Sequence, residues 1–391
     1  MKYTCKDGIL TIFLAGRIDS SNAETVESEI QSICQSNTAQ ELVLDAEELQ
    51  YISSAGLRVV LRLRKSDPTL KIVNAASEVY DIFDMTGFTE MIPIEKAYRR
   101  LSVEGCEVIG QGANGKVYRL DPDTIIKVYL NPDSLPDIHR ERELARKAFV
   151  MGIPTAIPYD VVKVGEGYGS VFELLSAKSF AKLLIADPAN LDMCVKLSVE
   201  LLKKIHSTEL KKGDMPDMKA VALGWADFLA DYLPAEQYEK LHSLIAAVPD
   251  DNHMLHGDYH IKNVMLQNGE TLLIDMDTLC LGHPVFEFAS IFLAYVGFGE
   301  VNHENTMQFL GIPYELGVEF WEKTLRLYFE TDDDAKCQAI ADKARVVGYA
   351  RLMRRTIRRN GLNTPEGQAI IENCRTQLAQ LLPRVDTLCF E

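Results

Sequence analysis

Through its first 99 residues the chain alternates short apolar runs with segments whose apolar positions return at helical spacing. Residues 2–5 and 9–15 flank Asp7-Gly8, a pair suited to a tight turn, and predict a hairpin. Residues 22–34 place Val26, Ile30 and Ile33 on one helical face. The run ELVLD at 41–45 predicts a short buried strand, and residues 54–65 a second helix with a serine at its start. Residues 70–73 predict another strand and 79–85 another short helix. Strands alternating with helices over about 100 residues imply an α/β layer structure.

A polar connector at 97–105 leads into a different pattern, in which strand signals come first and helix signals later. Residues 106–109, 116–120 and 124–130 predict consecutive strands, the last two joined by Asp121-Pro122-Asp123. Residues 137–151 are amphipathic and helical, and 161–164 and 169–174 are strands about a glycine-rich turn. After Ser176 the pattern is helical apart from one hairpin, 264–274, with Asn268-Gly269 at its tip. The expected division is therefore 1–99, then a strand-rich part 105–175 and a helical part 176–391.

Composition narrows the class. With 391 residues, 47% hydrophobic and 25% charged, the chain reads as an ordinary globular protein, which excludes collagen-like and disordered classes. Lys and Arg number 41 against 57 Asp and Glu, a net charge of −16 that lacks the footprint of a non-specific nucleic-acid binder. The 8 cysteines are dispersed without close pairs and read as reduced cytosolic thiols. The longest apolar stretch, 288–298, is about half of the ~20 residues that a membrane-spanning helix needs. Lys6 and Asp7 interrupt any secretory leader, so the expectation is a cytoplasmic protein.

The string Gly110-Gln111-Gly112-Ala113-Asn114-Gly115 fits either a dinucleotide fold or a kinase glycine-rich loop. A dinucleotide site needs a helix at the third glycine, whereas 116–120 is strand-like and turns back through Asp121-Pro122. That favours the kinase loop, with a plain hairpin turn as the alternative. Lys127 lies inside the apolar strand 125–129, where an unpaired charge is costly, so it requires an anion. In the following helix Ile138, Leu144, Ala145, Ala148 and Phe149 define the apolar face, and Glu141 shares it. Glu141 is thus the expected partner of Lys127, with Glu143 second and a solvent-facing carboxylate as the plain alternative.

The densest chemistry lies in His256-Gly257-Asp258-Tyr259-His260-Ile261-Lys262-Asn263, followed across the hairpin by Ile274-Asp275-Met276-Asp277. Phosphoryl transfer needs a carboxylate to accept a hydroxyl proton, and an amide oxygen and a carboxylate to hold magnesium on the triphosphate. Asp258, Asn263 and Asp275 supply these groups in that order. A zinc site at His256 and His260 is disfavoured, because Gly257 and the turn argue against one helix presenting both imidazoles.

On HGDYHIKN and LIDMDT, residues 105–391 resemble the aminoglycoside phosphotransferase and choline kinase family of protein-kinase-like folds. The resemblance implies a two-lobed α+β fold that binds ATP and Mg2+. It implies Asp258 as general base, Asn263 and Asp275 as magnesium ligands, and Lys127, oriented by Glu141, on the phosphates under Gly110, Gly112 and Gly115. His256 and His260 would structure the loop. Phe172-Glu173-Leu174 stands at the hinge, where Glu173 and Leu174 would bind adenine through backbone groups. Glu287 stands where the family often has Asp, and Asp277 assists with metal or holds the loop.

Residues 1–99 resemble a second family, the STAS domain of anti-sigma-factor antagonists, on 14–19 (LAGRID), 51–57 (YISSAGL) and 85–88 (MTGF). Together the two resemblances imply two domains, a small α/β STAS-like domain followed by the two-lobed kinase-like domain. Ser54 would be a phosphorylation site at a helix start, where a serine equally serves as the helix cap. Ser53 stands where phosphorylated members often have Asp.

The function expected is ATP- and magnesium-dependent transfer of phosphate to a hydroxyl of a small molecule. The STAS-like domain would be a regulatory or docking module for a protein partner, with no role for nucleic acid or membrane. A silent nucleotide-binding regulator and a protein Ser/Thr kinase are the alternatives; no activation segment is evident after Asp275. The run Arg351, Arg354, Arg355, Arg358 and Arg359 reads as a solvated face neutralising nearby acids, with anionic-substrate binding as the alternative. The net negative charge points instead to a cationic substrate, so the substrate class stays open.

Overall fold

The computed structural model describes residues 1–112 and 115–390. Its contacts divide the chain into two compact units, Met1–Glu104 with Val161–Gly169, and Gly105–Asp160 with Ser170–Glu391.

In the first unit the elements run β1 (Lys2–Lys6), β2 (Ile9–Ile18), α1 (Ala23–Ser36), β3 (Glu41–Ile52), α2 (Ser54–Ser66), β4 (Lys71–Ala75), α3 (Ser77–Met85) and β5 (Ile94–Lys96). They form one sheet ordered β1-β2-β3-β4-β5. The β1–β2 pair is antiparallel and the remaining pairs are parallel. Leu10, Ile12 and Leu14 of β2 alternate inward and are fully buried, and Leu44 and Ile72 continue that layer on the next strands. Val59, Val60 and Leu63 of α2, with Val79 and Phe83 of α3, close over it.

Two features differ from the sequence pattern. β3 extends to Ile52 although the pattern ended it at Asp45, because its second half is polar and mostly solvent-facing. There β2 slips register around Gly16, whose φ of +70° allows the irregularity. The edge strand β5 has only 3 residues and carries no apolar alternation to reveal it.

In the second unit β6 (Val108–Gln111), β7 (Gly115–Arg119) and β8 (Thr124–Tyr129) form an antiparallel meander. The helix α4 (Leu135–Val150) follows, and β9 (Pro158–Val164) with β10 (Gly167–Glu173) completes the sheet order β6-β7-β8-β10-β9. Of the predicted apolar face of α4, Ile138, Leu144, Ala145 and Ala148 are buried. Phe149 is 49% exposed, because it lies beside the buried stripe that Ala148 continues, one residue before the helix ends.

The chain then becomes helical. A short strand β11 (Lys178–Ser179) precedes α5 (Phe180–Ala186), α6 (Leu191–His206), α7 (Met218–Leu229) and α8 (Ala235–Ala246). Next come β12 (Met254–Leu255), the hairpin β13 (Val264–Gln267) and β14 (Glu270–Leu273), and β15 (Cys280–Leu281). Helices α9 (Pro284–Phe292), α10 (Glu304–Leu310), α11 (Tyr314–Tyr328), α12 (Asp334–Arg358) and α13 (Pro365–Leu381) complete the chain. One apolar core runs from α4 to Leu388 and includes Phe288, Phe292, Phe320 and Tyr349. A π-helical turn, Leu293–Gly297, continues α9 and turns Tyr295 inward. Among the described residues no helix is long and apolar enough to cross a membrane.

Candidate active site

The glycine string forms a hairpin and not a strand-to-helix turn: Gly110 faces Val117, Gln111 faces Lys116, and the Gly112 N–H donates to the Gly115 carbonyl at 3.0 Å. Ala113 and Asn114, at its tip, lie outside the described residues. The glycines differ in why they are there. A side chain on Gly115 would run into the Val128 carbonyl of the neighbouring strand, so this glycine serves strand packing. A Cβ on Gly110 would meet only the Val117 side chain, at 3.6 Å, and one on Gly112 would meet none of the described atoms within 4 Å.

Lys127 reaches from β8 to Glu141 on α4, with Nζ 3.0 and 3.1 Å from the two carboxylate oxygens. It also donates to Asp275 Oδ1 at 2.8 Å. Burial alone would push the lysine pKa down; the charges of Glu141 and Asp275 outweigh it and hold it above the ordinary value. The Tyr129 hydroxyl donates to Glu141 Oε2, fixing the carboxylate from the other side. Sequence reasoning missed Tyr129; its signal was the tyrosine two residues beyond Lys127 on the same face of the strand. Glu143 points away and pairs with Lys147 at 2.9 Å.

The loop 256–263 is fixed largely through its backbone. Glu287, fully buried on α9, accepts the His256 N–H at 2.5 Å and the Gly257 N–H at 3.0 Å. Thr278 Oγ1 donates to the His256 carbonyl at 2.7 Å, and Ser290 Oγ and Arg351 Nη1 each donate to the Gly257 carbonyl at 3.0 Å. His256 is buried between Ile274 O at 3.2 Å and the Asp258 N–H at 3.3 Å, so it is a loop-structuring residue. The Tyr259 hydroxyl donates to the Ser198 carbonyl at 2.7 Å, and Tyr295 OH receives the Ile261 N–H at 3.0 Å. Gly257 has φ +81°, and a Cβ there would stand 2.5 Å from the Thr278 carbonyl, so glycine is required.

This cradle leaves Asp258 Oδ2 3.5 Å from His260 Nε2. Burial pushes the Asp258 pKa up, but His260 first and then Arg351 and His256 more than reverse it, keeping the carboxyl below its usual range and ionised. Asn263 donates its amide to the Asp258 carbonyl at 3.0 Å, and the Asn263 carbonyl receives the Ile274 N–H at 3.0 Å. Asp275 follows at φ +63°, a strained backbone for a non-glycine residue, which aims its carboxylate back at Lys127. Asp277 is pushed up to about 7 by burial and then by the charge of Asp275, with Lys127 opposing.

The structure thus brings Lys127, Glu141, Asp258, Asn263 and Asp275 into one connected network. At the expected hinge both backbone N–H groups are already used within the protein. The Glu173 N–H donates to the Ile157 carbonyl at 3.1 Å and the Leu174 N–H to the Asp123 carbonyl at 2.7 Å, so neither amide is free for a ligand. The cause is local, since both residues leave β10 alongside carbonyls of neighbouring segments.

In the first unit, the serine that caps α2 is Ser53, whose Oγ accepts the Ala55 N–H at 3.2 Å and the Gly56 N–H at 3.5 Å. Ser54 is therefore the first helical residue and not the cap, and its side chain is exposed. Gly56 lies close against Ile52 and Ile18, leaving no room for a Cβ.

Comparisons with known proteins agree with this geometry. Residues 105–317 match the phosphotransferase enzyme family, and residues 1–101 match the STAS domain. BtrV of Bordetella bronchiseptica, named for an anti-sigma factor antagonist, is 37% identical over 92 residues, covering 22% of this chain and 78% of that protein. The anti-sigma F factor antagonist of Paenibacillus polymyxa is 24% identical over 91 residues, covering 22% of this chain and 78% of that protein. Among solved structures, a thermostable mutant of aminoglycoside phosphotransferase APH(4)-Ia with ADP and hygromycin B has TM-score 0.52 and 11% identity, covering 78% of this chain and 97% of that one. The likeness to that structure is one of fold. The chain belongs to the phosphotransferase enzyme family over residues 105–317 and carries a STAS domain over residues 1–101.

Proposed function

We propose that the protein transfers the γ-phosphoryl group of ATP, with magnesium, to a hydroxyl of a small molecule, and that its STAS domain is a regulatory or docking module. The observation that carries this reading is the pairing of Lys127 with Glu141 and Asp275 and of Asn263 with Asp258, tied together by the Ile274 N–H on the Asn263 carbonyl, in a member of a phosphotransferase family.

The donor set fits a hard cation. Asn263 spends its amide N–H on the Asp258 carbonyl and keeps its side-chain oxygen; Asp275 spends one oxygen on Lys127 and keeps the other. Asn263 and Asp275 would hold magnesium, which neutralises charge on the phosphates. Lys127, oriented by Glu141, donates to phosphate oxygens beneath the loop at Gly110 and Gly112. Asp258, held ionised, accepts the proton of the acceptor hydroxyl as that oxygen bonds the γ-phosphorus. The bond from phosphorus to the bridging oxygen breaks, its electron pair leaves with ADP, and the proton passes from Asp258 to solvent. Glu287 and Arg351 keep the loop rigid while this happens.

Calorimetry should detect ATP binding at millimolar magnesium, and mass spectrometry should detect phosphate transfer in a screen of small hydroxyl compounds. Absence of ATP binding would contradict the reading.

For the STAS domain we propose Ser54 as a phosphorylation site read by a protein partner. Its exposed hydroxyl stands on the first turn of α2, where the helix dipole favours an added anion. Phosphate on Ser54 in protein from native cells is the expected finding, and phosphate confined to other serines would contradict it. The 8 cysteines, all free, support a reducing compartment such as the cytoplasm. Residues 1–99 and 105–391 are proposed to fold as separate domains, with proteolytic cleavage expected within 97–105.

A further inference from the structure

The basic run at the end of α12 is a partly solvated face, with Arg355, Arg358 and Arg359 exposed, but it does not neutralise acids by ion pairs. Among the described residues no carboxylate lies within ion-pair distance of Arg351, Arg354, Arg355, Arg358 or Arg359. The contrast within one helix is sharp: Arg345 reaches Asp342 at 3.6 Å and Glu300 at 3.8 Å and donates to Gln377 at 3.2 Å. Two turns later the acids stop while the arginines continue.

These arginines are held by aromatic faces instead. Arg351 lies over Trp225 at 5.4 Å, Arg354 over Phe228 at 5.6 Å and Arg355 over Phe298 at 4.9 Å. A ring face orients a guanidinium while leaving its N–H edge free to bind a planar or tetrahedral anion. Arg354 Nε is buried and has no hydrogen-bond partner. Burial, and then the charges of Arg359 and Arg351, push the Arg355 pKa down, with Asp258 pulling the other way. The helix dipole favours cations in its last turn, which accounts in part for Arg355 and Arg358 but not for Arg351. Arg351 sits nearly two turns from the end and donates to the Gly257 carbonyl, next to Asp258.

We propose that Arg351 and Arg355, with Arg354 beside them, form the acceptor side of the active site and select a small hydroxyl compound that already carries an anionic group, a phosphate or a carboxylate. This rests on the phosphotransferase reading and adds the substrate's charge class to it. Arg351 and Arg355 are one helical turn apart, so they present two guanidinium edges on one face beside the carboxylate that receives the hydroxyl proton. An anion seated there relieves the mutual repulsion of the arginines and directs the far end of the molecule toward Asp258. The net charge of −16 is a property of the whole chain, whereas the arginines set the local charge where the anionic end would sit.

The test uses the full chain with ATP and magnesium and four acceptor sets: glycerol 3-phosphate and glucose 6-phosphate; glycerate and gluconate; glycerol and glucose; choline and kanamycin. Transfer is read by mass spectrometry and steady-state kinetics, and ATP binding by calorimetry. Transfer should favour the first or second set, and which of the two wins tells phosphate from carboxylate. Arg355→Gln should raise KM for the preferred acceptor roughly 10- to 100-fold, the effect of losing a charged hydrogen bond, with kcat and ATP affinity nearly unchanged. Arg355→Lys should recover part of the loss, because the charge returns without the fork. Equal transfer to neutral or cationic acceptors, no transfer to any anionic one, or an unchanged KM in Arg355→Gln would overturn the inference while ATP binding upholds the phosphotransferase reading. Absence of ATP binding would overturn that reading itself, and this inference with it.

Discussion

Lys127 and Arg355 are cations near Asp275 and Asp258 respectively, and their surroundings are opposite. Lys127 is clamped by Glu141 and Asp275 with every distance at or under 3.1 Å. Arg355 is exposed, with an aromatic ring beneath it and, among the described residues, no carboxylate within ion-pair distance. A charge satisfied within the protein is a positioned part, whose removal damages the part it positions. A charge exposed on a ring face beside the loop is available to another molecule, and on the proposal above its removal damages recognition. The same contrast recurs on α2, where Ser53 spends its hydroxyl on the helix amides and Ser54 presents its own to solvent.

The largest effect that would sharpen this contrast is at Lys127. Lys127→Met should lower kcat/KM by about 10²- to 10³-fold, the scale of losing one electrostatic stabiliser of the transferring group. It should also lower stability measurably by urea unfolding, because Glu141, only 5% exposed, loses its cation. If Lys127→Met and Arg355→Gln gave the same kinetic signature, the division into positioned and recognising cations would be broken.

A smaller effect is expected at Glu287, which holds the loop through two amides. Glu287→Gln replaces one accepting oxygen by a donor, leaving one buried N–H without a partner at a cost of about 1–3 kcal/mol. Chemical denaturation should show this loss, together with lower kcat and ATP affinity close to that of the unaltered protein. Unchanged stability would mean that the loop is held elsewhere.

The smallest effect separates the two serines. Ser53→Ala should cost about 1 kcal/mol of stability as a lost helix cap. Ser54→Ala should change stability by less than about 0.5 kcal/mol, as an exposed position does. Thermal unfolding of both variants decides it, and the reverse order would return the capping role to Ser54.

How much of this was legible in the sequence depends on how far apart the interacting residues lie. Asp258, Asn263 and Asp275 are close along the chain, and a single hairpin sets their order. Glu141 was readable because its helix has a clear apolar face. What stayed hidden are contacts between distant segments. Arg351 and Gly257 are 94 residues apart, and the residue types alone do not reveal that they meet. The occupied amides of Glu173 and Leu174 depend on carbonyls of two other segments, and the length of β3 on backbone pairing that its polar second half concealed. That the arginine run makes no ion pair among the described residues was illegible for the same reason: a one-dimensional pattern shows which charges exist, not which are near.

The central claim is that Asp258 moves a proton while Asp275 holds the metal-bound nucleotide, and parallel titration of Asp258→Asn and Asp275→Asn with ATP and magnesium tests it most directly. Asp258→Asn should cost roughly 10²- to 10⁴-fold in turnover and leave nucleotide affinity almost unchanged. Asp275→Asn should weaken magnesium-supported ATP binding along with turnover, because a hard cation loses a charged oxygen ligand. Equal loss of ATP binding in both variants, or full turnover in Asp258→Asn, would contradict the account.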